Sequence, residues 1–328
     1  MPPAPRDHGG DLAAAIARHG GTPADWIDLS TGINRRPYPL PPPSPGALAA
    51  LPGAEATAAC AAAARRAWGS APAAACQPLA GAQAAIGLLP RLAAPGRAAI
   101  LGPTYNEHAA AFAAAGWTVA EVDAPAALAG ADVGVVVNPN NPDGRRLAPE
   151  ALLGLAGTVG RLIVDESFAD VDPALSLCPR LGRPGLLVLR SFGKFYGLAG
   201  LRLGFAAGAP AEIDRLAAAA GPWPVSGPAL EAGRIALADD RWAAATRARL
   251  AGEAPRLDAL ATAAGWRPAG GTMLFRLYDT GDARAARDRL ARARIWSRAF
   301  PWSAGWLRLG LPGSEAEWRR LAAALSAA

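Results

Sequence analysis

The sequence predicts an α/β protein in which a large domain with a mostly parallel central sheet precedes a smaller α+β C-terminal domain. Two patterns predict it. Short apolar segments alternate with alanine-rich helical ones through the middle of the chain, and after Pro222 long helical segments replace that alternation. Ala98 to Leu101, Trp117 to Val122, Val133 to Asn138, Leu162 to Asp165, Leu186 to Leu189 and Leu203 to Ala206 read as the strands. The alanine-rich stretches between them carry Leu and Arg at helical spacing and read as helices covering both faces of the sheet. Beyond Pro222 the clearest helix is Ala243 to Ala264, with Thr272 to Tyr278 and Trp306 to Leu309 as strands. Ahead of the sheet, the proline-dense stretch Pro37 to Pro45 reads as an extended connector. The expected organisation is an N-terminal arm over residues 1–45, a large domain over 46–221 and a small C-terminal domain over 222–328. Ligands of such sheets bind beyond the carboxyl ends of the strands. Asn138, Asp165 and Ser191 each fall at or just after such an end.

Composition narrows the function. The 328 residues are 52% hydrophobic, ample for a buried core. The formal charge of +6 comes from scattered arginines, and no basic run is interleaved with aromatics, so anionic small molecules are expected as partners and nucleic acid is not. Cys60, Cys76 and Cys178 are odd in number and lack metal-type spacing, which implies neither a disulfide framework nor a metal site. The opening residues lack the apolar core of a signal peptide, and no apolar run is long enough to span a bilayer. A cytoplasmic location with no membrane partner is expected.

The most informative residue is Lys194, the one lysine among 33 basic residues. Arginine stays protonated under ordinary conditions, whereas a desolvated lysine amine can lose its proton and attack a carbonyl. A lone lysine points to covalent amine chemistry. It lies within four signals in a fixed order: Asn138-Pro-Asn-Asn-Pro-Asp-Gly144, Asp165-Glu-Ser-Phe168, Ser191-Phe-Gly-Lys194 and Gly200-Leu-Arg-Leu-Gly204. Each alone has a plain structural reading: a turn, a helix cap, a strand between glycines. Together, around a single lysine, they are hard to assign to chance.

In this order the motifs resemble the pyridoxal-phosphate (PLP) enzymes of the class I/II aminotransferase fold, and the resemblance runs over nearly the whole chain. It implies a PLP-dependent transferase-like large domain with Lys194 as the Schiff-base lysine. It further implies Asp165 as the carboxylate that keeps the pyridine nitrogen protonated, so that the ring can accept electrons. Asn141 matches the residue that hydrogen-bonds the phenolic oxygen of the cofactor, and Tyr105 the aromatic stacked on its ring. Gly81, Ala82 and Gln83, where a loop enters a helix, match the phosphate-binding turn, whose free amides and dipole favour an anion. Ser191 and Arg202 complete that phosphate cup. Arg308, in Trp306-Leu-Arg-Leu-Gly310, matches the arginine that grips a substrate carboxylate with its planar fork.

The N-terminus selects among the reactions of this fold. His8-Gly-Gly-Asp11, followed by Trp26-Ile-Asp-Leu-Ser30-Thr-Gly-Ile-Asn34, resembles the opening of the threonine-phosphate decarboxylase family of cobalamin biosynthesis, and Asp165-Glu-Ser-Phe168 fits the same family. Where many aminotransferases place a tyrosine, Phe168 has no hydroxyl to offer the cofactor. The resemblance implies decarboxylation of L-threonine O-3-phosphate to (R)-1-amino-2-propanol O-2-phosphate. His8, Asn34 and Arg298 are candidates for the substrate phosphate, with Arg35 and Arg36 as possible helpers. A homodimer is implied as well. Dimeric relatives commonly carry a Tyr-Pro pair where this chain has Leu51-Pro52, and the usual proline after Asn34 is Arg35 here. The rival readings are a histidinol-phosphate-type aminotransferase using PLP, a non-catalytic pathway interaction protein retaining the fold, and a lyase for another β-substituted amino acid.

Overall fold

The computed structural model describes residues 8–326, so the first seven residues of the expected arm lie outside it. The chain divides into two compact units. A sheet unit holds Tyr38–Asn141 and Arg145–Ala245, and a terminal unit holds the residues up to Pro37, Pro142–Gly144 and those from Thr246 on.

The sheet unit is built on seven strands in the order Ala75–Leu79, Gly204–Gly208, Leu186–Ser191, Arg161–Asp165, Val133–Val137, Arg97–Leu101 and Thr118–Val122. Gly204–Gly208 runs antiparallel to both of its neighbours, and the remaining pairings are parallel. Val133–Val137 is buried at every position, as a strand covered on both faces must be. Register then aligns the functional edge: Val137 pairs with Asp165 and Asp165 with Leu189, which brings Asn138, Asp165 and Ser191 to the same end of adjacent strands. Ile100, Phe112, Trp117, Val135, Ile163 and Leu189 form the centre of the core.

One strand of this sheet escaped the sequence pattern. Ala75–Leu79 contains Gln77 and Pro78, and its position at the sheet edge is where a proline, lacking an amide donor, is tolerated. The unit boundary also differs from the one expected at 221/222. Gly227–Ala236 packs against Ala54–Ala67, which keeps the chain in the sheet unit until it passes into the long helix Asp240–Ala263. At the other end, the connector from Tyr38 onward groups with the sheet unit, and the residues up to Pro37 with the terminal unit.

The terminal unit contains a four-stranded antiparallel sheet in the order Arg298–Ala299, Trp306–Gly310, Phe275–Asp279 and Arg267–Gly271. Its N-terminal segment is threaded through backbone hydrogen bonds: the Leu29 amide donates to Trp296 O (2.8 Å) and the Gly310 amide to Leu29 O (2.7 Å). Ser30 is thereby set against the strand that carries Arg308. Arg267–Gly271, an exposed edge strand rich in Pro and Gly, carries no strand-like pattern in the sequence.

Candidate active site

One pocket of the sheet unit is lined by Gly81, Ala82, Gln83, Tyr105, Asn141, Asp165, Ser191, Lys194 and Arg202. Residues as far apart in sequence as Gly81 and Arg202 are thus gathered at one edge of the sheet. Lys194 sits on the single helical turn Phe192–Phe195, which Ser191 opens at the end of its strand. Its Nζ lies 5.7 Å from the centre of the Phe168 ring.

Asp165 is buried at a strand end, and both of its carboxylate oxygens are engaged. Oδ2 pairs with His108 Nε2 at 3.0 Å, while Oδ1 accepts from the Ser167 amide (2.9 Å) and hydroxyl (2.5 Å). Burial pushes this carboxyl up, but the hydrogen bond and charge of His108, together with Ser167, outweigh it and leave it below the ordinary carboxylate value. Asp165 is held as an anion inside the protein. His108 escaped the sequence reading. No motif carried it: Tyr105 lies ahead of the helix Glu107–Ala114 on which His108 sits, and only the fold brings His108 to Asp165.

Gly81, also in the pocket lining, caps the helix Ala82–Leu88 with φ 80°, and the first amides of that helix have no partner within it. Gly204 passes so close to Gly81 and the Ala82 amide that a side chain there would overlap their backbone. Arg202 adopts left-handed dihedrals (φ 55°, ψ 49°), uncommon for a residue with a Cβ, and its guanidinium packs against Gly81 while donating to Ala199 O at 3.0 Å. The Tyr105 hydroxyl donates to Gln83 Oε1 (3.1 Å), and Gln83 Nε2 donates to Glu107 Oε2 (3.2 Å), which fixes the tyrosine ring beside the helix start.

This donor set fits PLP. A buried anion suits a protonated ring nitrogen, an aromatic face suits the ring, and helix amides with a hydroxyl and a guanidinium suit a phosphate. Lys194 lines the same pocket.

His8, Asn34, Arg298 and Arg308 belong to the terminal unit. Ser30 is their hub. The Gly10 amide donates to Ser30 Oγ (2.7 Å), Ser30 Oγ donates to Asp28 Oδ1 (2.6 Å), and Arg308 Nη2 donates to Ser30 O (2.7 Å). The His-Gly-Gly opening, the Ser30 segment and the Arg308 strand therefore meet, with His8 itself exposed at the surface. Arg298 and Arg308 are direct cross-strand partners. Burial pulls the Arg308 guanidinium down to about 9, Arg298 beside it pulls in the same direction, and Asp28 opposes them. Two guanidiniums so placed form a setting in which an anion is favourable. Asn34 Oδ1 accepts from Arg249 Nη2 (2.9 Å) and from the Arg36 amide (3.0 Å). Arg35 and Arg36 are paired with Glu317 (2.5 Å) and Glu253 (3.1 Å).

The model of the family described as Aminotransferase class I and II matches residues 52–325. The chain belongs to this family. It is 45% identical to the threonine-phosphate decarboxylase of Pseudomonas aeruginosa, with 97% of each chain covered. It is 44% identical to a threonine-phosphate decarboxylase of Sinorhizobium sp, with 98% of each covered. Its fold is that of a histidinol-phosphate aminotransferase from Sinorhizobium meliloti, solved in complex with pyridoxal-5'-phosphate: the TM-score is 0.81 at 23% identity, over 98% of this chain and 94% of that one.

Proposed function

We propose that this protein is a PLP-dependent carbon-carbon lyase that converts L-threonine O-3-phosphate to (R)-1-amino-2-propanol O-2-phosphate in cobalamin biosynthesis. The observation that carries the reading is the single pocket that joins Lys194, the ionised Asp165 and the phosphate-side donors. The names of the two near-full-length relatives supply the substrate.

Lys194 is the residue that would bond the cofactor, and its amine or a nearby acid would return a proton to Cα after carbon dioxide leaves. When bound, PLP supplies an electron sink for the pair released at Cα. Asp165 keeps a proton on the ring nitrogen, with His108 and Ser167 holding it ionised. Gly81, Ala82, Gln83, Ser191 and Arg202 bind the cofactor phosphate, Tyr105 covers the ring, and Asn141 donates to its phenolic oxygen. Arg308 grips the substrate carboxylate, and Arg298, Asn34 and His8 take the substrate phosphate. Orientation by Arg308 decides which bond at Cα is broken. Phe168 offers no hydroxyl beside Lys194, which favours this reading over an aminotransferase with tyrosine there.

We further place the enzyme in the cytoplasm as a homodimer. Leu48 and Leu51, each 68% exposed, support the assembly; Leu51 lines a surface hollow whose wall mixes Ala47, Pro52 and Leu230 with Glu55, Glu231 and Arg234.

The test is incubation of the loaded enzyme with L-threonine O-3-phosphate and no keto acid. Steady release of carbon dioxide with the aminopropanol phosphate is expected. Conversion of the cofactor to its amine form without carbon dioxide would replace this reading with a transaminase.

A further inference from the structure

The turn that carries Lys194 is too short to hold itself. Phe192–Phe195 is a single helical turn, and a helix of that length loses more backbone freedom than its hydrogen bonds return. What surrounds it is a set of five aromatic rings in the sheet unit. Phe192 stacks on Tyr196 (centroids 4.6 Å apart, planes at 16°), and Tyr196 stacks in turn on Trp242 (5.5 Å, 14°). Phe195 sets its edge against both Tyr196 (5.3 Å) and Trp242 (5.5 Å), and Tyr38 sets its edge against Trp242 (5.1 Å). Three of these rings belong to residues flanking Lys194, so the column grips the backbone on both sides of the lysine.

Tyr38 and Trp242 are fixed to each other as well as to the turn. The Tyr38 amide donates to Tyr196 O (2.9 Å), the carbonyl of the residue that closes the turn. The Tyr38 hydroxyl donates to Asp239 Oδ2 (3.1 Å), and Asp239 Oδ1 accepts from the Trp242 amide (2.8 Å) at the start of the long helix. Tyr38 opens the sheet unit, and Trp242 stands near its last residue, Ala245. Both ends of the sheet unit's chain therefore terminate on the ring column.

We propose that Trp242, supported by Tyr38, is a positioning residue for Lys194: it closes the aromatic column that fixes where the lysine amine stands in the pocket. The proposal deepens the reading of Lys194 as the cofactor-bonding residue and rests on it. Neither ring needs to touch cofactor or substrate for this role. A displaced turn moves the amine, and misplacement on the scale of an ångström is costly to a reacting group.

The test compares Trp242→Ala with Trp242→Phe in the full chain. Amide exchange is followed over residues 191–197 and over Val133–Val137 as an internal reference, and the fraction of PLP trapped on Lys194 by borohydride is measured against pH. Trp242→Ala is expected to speed exchange roughly tenfold over 191–197 while leaving the reference strand unchanged. It should shift the pH midpoint of trapping and lower kcat by roughly tenfold to a hundredfold, with KM little altered. Trp242→Phe, which keeps a ring face for Tyr196, should restore all three. Equal acceleration in both segments, or an unmoved midpoint, would overturn the proposal. If Trp242→Ala does not fold, Tyr38→Leu is read by the same measurements with the same expectations. Exchange and trapping need no substrate, so failure of the decarboxylation assay leaves this test standing, and loss of trapping in the parent protein sinks the reading of Lys194 instead.

Discussion

At the scale of single residues, the pocket separates a group that must be neutral to react from one that must stay charged. Lys194→Ala removes the amine, and turnover is expected to fall by about a thousandfold or more, with borohydride trapping of PLP abolished; mass analysis of the reduced protein checks the second point. His108 acts on the other group. Burial alone would lift Asp165, and His108 is the first of the influences that hold it down. A carboxyl with a depressed folded value contributes above its ordinary range and loses that contribution as pH falls through the folded value. In His108→Phe the folded value rises, so release of PLP on acidification is expected to begin at higher pH than in the parent, as read from the absorbance of the bound cofactor. An unchanged acid limb would mean that Ser167 alone holds the charge.

At the scale of elements, one close approach and one buried ion network carry the site. Gly204 opens a strand against the phosphate-side turn, and Gly204→Ala would drive a methyl into the Gly81 and Ala82 backbone. PLP affinity is expected to fall at least about tenfold, whereas Gly200→Ala, where a side chain meets nothing within 4 Å, should leave it unchanged; equilibrium titration of the cofactor separates them. Behind the strands that end in Asp165 and Ser191 lies an ion network. Arg190 donates to Glu166 (2.8 Å) and Asp170 (2.5 Å) and covers the Trp68 ring at 4.5 Å, all of it buried. Burial pulls the guanidinium down, but Asp170 and Glu166 beside it more than compensate and keep it charged. Arg190→Met leaves both carboxylates buried without their partner and is expected to cost about 3–5 kcal/mol, measured by denaturant unfolding. These partners were hidden in the sequence because alternate residues of a strand face opposite sides. Asp165, Glu166 and Ser191 stand inside motifs that are read for the cofactor, while Arg190 looks like an ordinary charged residue until the register is known.

At the scale of the whole molecule, the proposed homodimer predicts that the parent sediments as a dimer and that Leu48→Glu with Leu51→Glu sediments as a monomer, since both leucines are 68% exposed. Much of this molecule was legible in the chain. The parallel strands announced themselves as apolar runs, and the cofactor set as motifs in fixed order, because both depend on local residue types. Ala75–Leu79 and Arg267–Gly271 were silent because edge strands need neither apolar continuity nor every amide. Trp242 was silent because its importance lies in what it stacks on, 46 residues away in the chain at Tyr196. The absence of any lysine but Lys194 has a chemical consequence of its own. Every other basic side chain is a guanidinium, so acylating agents, aldehydes and the enzymes that acetylate or ubiquitinate lysine find no side-chain amine outside the pocket. An amine-directed label on a side chain of this protein therefore counts open pockets, one per chain, and a bound cofactor protects the only lysine it could modify.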